Sequence, residues 1–358
     1  MSVACAAGTA FALGGVYAHA EAASAPVESV SGATAATTAT AVSTASVSDV
    51  VTAANTFLAT LSTTQKSKVL LGFTEANATA WSNLPCGSSC RVGIQFSTLS
   101  TTQLAAAKAV VKAATGKGSG TGYDQVSQIL AADDVLGKSA SGYGSGNYYL
   151  AFLGAPSATG TWQLHFGGHH LAVDLTYADG QVEGATPYFV GVEPSGWTGS
   201  DGTTYAPLKG MRDGMLAMLS SLSTTQLAQA KLSQSFGDVL LGPAKDGAFP
   251  TTKQGLQVNQ LTATQQQLVL AALTPWVQVA DDTTAASLLA TYQSELDATY
   301  IAYSGSSALS SQGDYVRIDG PGVWVEFVCQ NGVIYRSQVH YHTVYRDHIR
   351  DYGGEFSF

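Results

Sequence analysis

The stretch TWQLHFGGHHLAVDL, residues 161–175, has the pattern of two β-strands separated by a glycine-containing break. Apolar side chains alternate along each part, as they do in strands that bury one face. A second stretch, DYVRIDGPGVWVEF at residues 314–327, repeats the order strand, glycine break, strand. We therefore expect strands from two parts of the chain to lie together in one mainly antiparallel sheet.

A helix-start signature occurs four times, beginning at Leu61, Leu99, Leu222 and Leu261. Each copy places Ser or Thr at the N-cap position and Gln three residues later, which is a capping box. The spacing of the copies is regular, because 161 residues separate the first from the third and 162 separate the second from the fourth. The sequence therefore predicts four helices that start at these positions.

Similar segments in the same order indicate an internal duplication. YLAFLG at 149–154 and YIAYSG at 300–305 add a further match, 151 residues apart. The predicted fold class is α+β, with internally duplicated halves that each run helix, helix, shorter helix and then several strands. We expect a single globular domain over residues 49–358, with its pseudo-symmetric halves at about 49–210 and 211–358.

The N-terminal segment is predicted to be a leader followed by a linker. Residues 1–20 are small and apolar, with cleavage-like sites near Ala18, but they lack the basic start of an export signal. The alternative is a buried N-terminal helix, which its three glycines disfavour. Residues 21–48 consist mostly of Ala, Ser, Thr and Val and predict a disordered linker. These features favour a secreted or cell-surface protein.

The composition excludes some classes of partner. The net charge is −9 and the pI is about 5.1, so the chain lacks the cationic surface of a nucleic-acid binder. Charged residues make up only 11% of the chain, which is typical of some extracellular proteins. The leader is too short for a stable membrane span of about 20 residues. We expect a monomer that acts on a small or polymeric extracellular substrate.

The cysteines fit an exported protein. Cys86 and Cys90 lie in a Pro/Gly/Ser loop and are predicted to form a short disulfide. Metal binding by this pair is the alternative, although no second cysteine pair completes such a site. Cys329 alternates with strand residues and is expected to be a buried thiol.

The histidines predict a metal site. His340 and His342 point to the same face of an extended strand, about 6.5–7 Å apart at the Cα atoms, and can converge on one ion. His169 and His170 point to opposite faces unless the preceding Gly-Gly break distorts the strand. We predict that His340 and His342, with His169, His170 or both, hold a divalent metal, zinc or copper, at the junction of the halves and on corresponding strands. The alternative is that these side chains only form hydrogen bonds.

Three carboxylates are candidates for catalysis beside such an ion. Glu193 follows a strand without an obvious pairing partner and is the preferred catalytic residue. Asp347 is the second choice, with an ion pair to Arg346 as its alternative role. Glu326 is also considered, although both it and Asp174 are expected at solvated strand positions.

The histidine segments also carry a resemblance to a known family. FGGHHLAVDL, TPYFVGVEP at 186–194 and HYHTVYRDHIRDYG at 340–353 resemble the widespread family called domain of unknown function thirty-five hundred. The resemblance covers roughly residues 50–358. One departure is Val339, where an Asn is often expected, and His165 is outside the shared pattern. The resemblance implies no particular activity.

Three functions are compatible with these features. The first is an exported metal-dependent hydrolase that acts on an ester, amide or glycan. The second is a copper- or iron-dependent oxidoreductase, which an all-nitrogen ligand set favours. The third is a non-catalytic metal- or ligand-binding surface protein, which the Ser/Thr-rich linker favours.

Overall fold

The computed structural model of the chain describes residues 46–358; the predicted leader and the linker as far as residue 45 lie outside the described residues. Nine α-helices occur in the described part: α1 (Val47–Ala59), α2 (Thr63–Val69), α3 (Glu75–Ala78), α4 (Thr101–Ala114), α5 (Gly122–Gly137), α6 (Lys209–Ser220), α7 (Thr224–Ala230), α8 (Ala263–Val277) and α9 (Asp282–Ser294). None of these helices is long and apolar enough to cross a membrane. Helix α1 begins two residues before the predicted start of the globular domain.

The strands confirm the α+β class with a mainly antiparallel sheet. They are β1 (Leu70–Leu71), β2 (Ile94–Gln95), β3 (Tyr149–Leu153), β4 (Trp162–Gly168), β5 (Leu171–Ala178), β6 (Gln181–Gly184), β7 (Tyr188–Val192), β8 (Trp197–Thr198), β9 (Thr204–Tyr205), β10 (Leu256–Gln257), β11 (Tyr300–Ser304), β12 (Tyr315–Asp319), β13 (Val323–Asn331) and β14 (Val339–Asp347). Twelve strands form one sheet in the order β1-β3-β4-β5-β7-β14-β13-β12-β11-β10, with β2 on β3 and β6 on β5. Strands β8 and β9 form a separate hairpin.

All four predicted capping boxes are present. Ser62, Ser100, Ser223 and Thr262 each accept the N–H of the third helical residue, and the Gln there accepts the N-cap N–H. The prediction of a shorter third helix is wrong, because α5 has 16 residues and α9 has 13, whereas α2 and α7 have 7 each. Helices α1 and α6 precede the first box of each half and were not predicted.

The order of elements is the same on both sides of the β7–β14 pair. Moving outward, β5, β4 and β3 on one side correspond to β13, β12 and β11 on the other. Both outer ends carry a two-residue strand, β2 or β10, antiparallel to β3 or β11. This arrangement is compatible with an internal duplication, which we keep as a hypothesis.

The two faces of the sheet have different covers. On one face α5 and α8 contact the central strands, where Trp276 donates to Thr343 at 2.7 Å. The opposite face is covered by two long connections, residues 72–93 and 231–255, which supply Trp81 and Leu241 to an apolar cluster on the sheet. This second cover is the reason that buried polar side chains can lie on the face away from the helices.

Two expectations about polar strand residues are wrong for that reason. Asp174 and Glu326 are both buried rather than solvated. The carboxylate of Glu326 accepts the backbone N–H groups of Leu240 at 2.7 Å and Leu241 at 2.9 Å. Glu326 therefore fastens the 231–255 connection to the sheet.

The cysteines are arranged as expected. Cys86 and Cys90 form a disulfide within the 72–93 connection. Cys329 is a buried free thiol of β13, and burial raises its pKa to about 12. A thiol of this kind stays protonated at neutral pH and acts as a packing residue.

Candidate metal centre

Three histidines from two distant parts of the chain meet beside the β7–β14 pair. His170 lies in the turn between β4 and β5 with a φ of 63°, while His340 and His342 lie on β14. The ring centroid of His170 is 5.4 Å from that of His340 and 5.1 Å from that of His342. Among the described residues, one ring nitrogen from each of the three lies within 4.8 Å of the other two. This buried group can hold a metal ion.

The meeting of the two histidine segments was predicted, but their placement was not. His169 and His170 form the turn between β4 and β5, and the strand that corresponds to β14 in the sheet is β7. The expectation that both segments lie on corresponding strands is therefore wrong. The chain leaves the regular strand after Gly168, as the Gly-Gly sequence predicts. His170 therefore reaches the face occupied by the β14 histidines.

His340 and His342 are each fixed in one tautomer by an acceptor at Nδ1. The Nδ1 atom of His340 lies 2.9 Å from the backbone oxygen of Asn331, and that of His342 lies 2.9 Å from Oδ1 of Asp238. A carbonyl and a carboxylate only accept, so both Nδ1 atoms carry and donate the proton. The Nε2 atom of Gln330 lies 3.1 Å from the same His342 nitrogen. Because an amide nitrogen only donates, it does not bond a protonated Nδ1 and instead hydrogen-bonds Asp238. Both Nε2 atoms of the neutral rings therefore keep a free lone pair.

These two Nε2 atoms face each other at 3.0 Å. Two lone pairs at this distance repel unless a cation lies between them. Ligands that are each 2.0–2.1 Å from one zinc ion lie about 3 to 3.4 Å apart, so the spacing fits two ligands of one ion. The ring nitrogens of His170 make no hydrogen bond with any described residue. The second ring N–H of a metal-bound histidine commonly donates to a carboxylate or carbonyl, and both β14 histidines make such a bond.

Burial and the neighbouring imidazoles disfavour protonation of His170 and His340. Burial, followed by the charge of His342, lowers the pKa of His340 from 6.5 to about 4. Burial, followed by the charges of three neighbouring imidazoles, holds the pKa of His170 well below its ordinary value. At neutral pH a proton shared between the rings is therefore less suited than a metal ion to relieve the repulsion between the two Nε2 lone pairs.

The stability of the metal-free protein should fall in mildly acidic solution. The unfolded chain binds protons at these histidines below about pH 6.5, whereas native His340 stays neutral down to about pH 4. The contribution of neutral His340 to the free energy of unfolding is complete above the pKa of the unfolded chain. It is lost as the pH falls from about 6.5 towards 4. We expect urea midpoints between pH 7 and 5 to drop less for His340→Gln than for the native chain. Equal drops would contradict this, and His348→Gln, outside the group, serves as the control.

His169 lies next to the group, but its ring nitrogens are not within it. Its ring stacks on that of His170 at a centroid distance of 3.7 Å. The Nδ1 atom of His169 lies 2.6 Å from Oδ1 of Asp133, a buried residue of α5, and donates to it. The other oxygen of Asp133 accepts the N–H of Gly144 at 2.8 Å. Asp133 therefore fixes the ring orientation of His169.

Gly191 of β7 makes room for two of the rings. It lies opposite His342 in the β7–β14 register. A Cβ atom at this position would be 2.9 Å from Cδ2 of both His170 and His342, and 2.9 Å from the backbone oxygen of Tyr341. The N–H of Gly191 also donates to the backbone oxygen of His170 at 2.8 Å. A side chain at this position is therefore incompatible with the observed ring positions.

The four histidines line a cleft of about 570 Å³, and the buried Glu193 lines it as well. The expectation that Glu193 has no pairing partner is wrong. Its Oε1 accepts the backbone N–H of Ile334 at 2.6 Å and of Tyr335 at 2.7 Å. Its Oε2 makes no hydrogen bond with the described residues. Glu193 therefore holds the connection between β13 and β14 and keeps one oxygen available.

Asp347 does not line this cleft. It follows His342 by five residues on β14, a distance of about 17 Å along a strand. Its carboxylate pairs with Arg350 at 3.2 Å. The expected alternative pairing with Arg346 is also wrong, because that guanidinium binds two other carboxylates. The structure thus separates Asp347 from the histidine group.

The two remaining described histidines are held by contacts elsewhere in the fold. Nδ1 of His165 lies 2.6 Å from Oδ1 of Asp174. The ring of His348 stacks on Phe249 at 3.9 Å, and its Nε2 lies 3.3 Å from Asp319. Neither side chain lines the histidine cleft.

Comparison with known families agrees with the arrangement of these motifs. Residues 43–354 match the sequence profile of DUF3500, a protein of unknown function. The chain belongs to the DUF3500 family. No curated protein and no solved structure matches the chain.

All three DUF3500 motif segments border the histidine group. In the first, Gly168 packs against the ring of Tyr148, where a Cβ would lie only 2.6 Å away. The second supplies Gly191, and the third supplies both β14 histidines together with Arg346. The guanidinium of Arg346 lies over the Trp81 ring at 5.2 Å and so holds the 72–93 connection. The motifs therefore both form the site and fix its surroundings.

The sequence did not reveal the residues that orient the rings. Asp133 is 36 positions from His169, and Asp238 is 104 positions from His342. Asp238 lies in an irregular connection, where no hydrophobic periodicity predicts which side chains are buried. Only the tertiary structure identifies these partners.

Proposed function

We propose that this protein is an exported metal-dependent hydrolase whose ion is held by His170, His340 and His342. The observation that carries the proposal is the 3.0 Å distance between the Nε2 atoms of His340 and His342, which have their acceptors at Nδ1. The low content of charged residues and the Cys86–Cys90 disulfide support export.

The donor set suits a catalytic zinc ion. Three protein nitrogens leave one of the four usual positions of zinc for water or substrate. The His170 nitrogen lies within 4.8 Å of the other two, whereas ligands of a tetrahedral ion lie about 3.3 Å apart, so its ring would turn inward to bind. A zinc ion at this place would polarise a carbonyl group and lower the pKa of water.

Proton transfer is assigned to His169 and Glu193. His169 was predicted as a ligand, but its place outside the group of three nitrogens suits a proton acceptor better. Asp133 holds its Nδ1–H and so directs the basic Nε2, as the carboxylate does in a catalytic histidine pair. Glu193 lines the same cleft, and its Oε2 is the second acceptor. Asp347 has no part in this assignment.

A copper- or iron-dependent oxidoreductase is the second candidate. The all-nitrogen donor set favours it, because imidazole suits copper and iron as well as zinc. A non-catalytic metal-binding protein is the third and needs the same three ligands without proton transfer.

Elemental analysis of the full chain, purified without added metal, tests these functions first. Stoichiometric zinc with ester or amide hydrolysis supports the proposal, and copper with an electron paramagnetic resonance signal supports the oxidoreductase. Zinc-loaded His169→Asn should keep its metal and lose most hydrolysis. Metal without any activity leaves only the binding protein. A chain that binds none of these metals contradicts the hydrolase and the oxidoreductase and leaves only a surface protein that binds another ligand.

Asp238 should tune metal affinity without being a ligand. Asp238→Ala removes the acceptor that fixes the His342 tautomer, and loss of such a partner typically lowers affinity 10- to 100-fold. Competition with a chromophoric chelator measures this change. Asp213→Ala, an exposed carboxylate of α6 that pairs with Lys209, should leave the affinity unchanged. An unaltered affinity in Asp238→Ala would contradict the assigned tautomer.

A further inference from the structure

We infer that the histidine cleft accepts uncharged esters or amides with an apolar acyl group. The inference rests on the proposed function and specifies its substrate class. The inference follows from the residues that line the cleft around the histidine group, which we call its walls, rather than from the histidines themselves. A volume of about 570 Å³ is in the range of small-molecule sites.

Two exposed aliphatic side chains line the cleft. Leu84 is 59% exposed and Val333 is 57% exposed, which places both among the three most exposed large hydrophobic residues of the described chain. Pro85 and Pro243 add further apolar surface to the same cleft. Aliphatic groups gathered at one cleft are typical of a ligand site, whereas scattered ones need no explanation.

Both aliphatic residues are held in place. The guanidinium of Arg91 donates to the backbone oxygens of Ser82 and Leu84, each at 2.6 Å, and the Cys86–Cys90 disulfide closes the same loop. On the other side, Glu193 accepts the two N–H groups that follow Val333. Because these loops are fixed before a ligand arrives, little ordering entropy opposes binding.

The charges of the cleft disfavour anionic substrates. None of its lining residues is Lys or Arg, while Glu193 and Asp238 contribute carboxylates. Arg91, the nearby cation of the disulfide loop, is buried and bound to backbone oxygens. Arg336 is exposed and donates to the backbone oxygen of Val333 at 3.4 Å, but it does not line the cleft. Within the lining, a phosphate or carboxylate at the tail of a ligand would therefore meet carboxylates without a matching Lys or Arg.

Alkyl hydroxamates bound to the cobalt(II)-substituted full chain test this inference. Acetohydroxamate, octanohydroxamate and the monohydroxamate of octanedioic acid share one metal-binding headgroup and differ only in the tail. Changes in the cobalt absorption spectrum give their dissociation constants. We expect octanohydroxamate to bind at least about tenfold more tightly than acetohydroxamate, because its methylenes leave water. The terminal carboxylate of the third probe should remove most of that gain.

Substitutions test whether Leu84 and Val333 cause the tighter binding of octanohydroxamate. The double variant Leu84→Ser, Val333→Ser should bind both alkyl hydroxamates alike while its cobalt spectrum and acetohydroxamate affinity stay unchanged. Ile349→Ser, 58% exposed outside the cleft, should behave as the native chain.

The possible failures are distinguishable. Cobalt binding with no dependence on tail length, or with preference for the carboxylate tail, overturns the substrate class alone. Failure to bind cobalt overturns the proposed metal site and the inference with it.

Discussion

The double variant His340→Ala, His342→Ala is expected to lose stoichiometric metal binding, with affinity reduced at least about a thousandfold. The substitutions remove two of the three proposed ligands, and His170 alone cannot retain a divalent ion against water. Elemental analysis and calorimetric titration with zinc measure the loss.

A matched variant and a stability measurement complete this test. His348→Ala removes a histidine that stacks on Phe249 outside the cleft, and it should bind metal as the native chain does. The metal-free double variant should still fold, because it loses two lone pairs that face each other at 3.0 Å and neither ring belongs to the main apolar core. A folded double variant with normal zinc content would refute the ligand assignment.

The second large effect is expected at Gly191. In Gly191→Ala the new methyl group lies 2.9 Å from the rings of His170 and His342 and from the backbone oxygen of Tyr341. The rings can rotate away, which moves their nitrogens, but the backbone oxygen belongs to the central β7–β14 pair. We expect metal affinity to fall at least about tenfold and thermal stability to fall as well.

The control for this substitution is a glycine with free space around it. Gly210 lies exposed in α6 and has no atom within 4 Å of an added Cβ. Gly210→Ala should raise helix stability slightly and leave metal binding unchanged. If both alanine variants bind metal equally well, the close packing of rings around Gly191 does not control the site.

Local signals in the sequence predicted more of the fold than of the site. The four capping boxes located helix starts because a box depends only on residues three positions apart. Helix α1 uses the same device with Asp49 in place of Gln, and its Ser46 N-cap would have identified it. Helix α6 has no side-chain cap, so its start carries no such signal.

The burial of polar strand residues could not be predicted from alternation. Glu326 and Asp174 alternate with apolar strand residues, and this pattern predicted solvated positions for both. It could not show that long irregular connections cover their face of the sheet and bury both carboxylates. The same connections supply Asp238 and Leu84, so the surroundings of the histidines depend on contacts between residues far apart in sequence.

The division of the three nitrogens between the two sides of the β7–β14 pair has an evolutionary consequence. One comes from the β4–β5 turn, and the equivalent β12–β13 turn contains Gly320 and Gly322 around a proline instead of histidine. Two come from β14, and the equivalent strand β7 carries Gly191 opposite His342. If one ancestral gene segment gave rise to both sides, neither present-day copy alone carries all three histidines, so only the joined halves form the group.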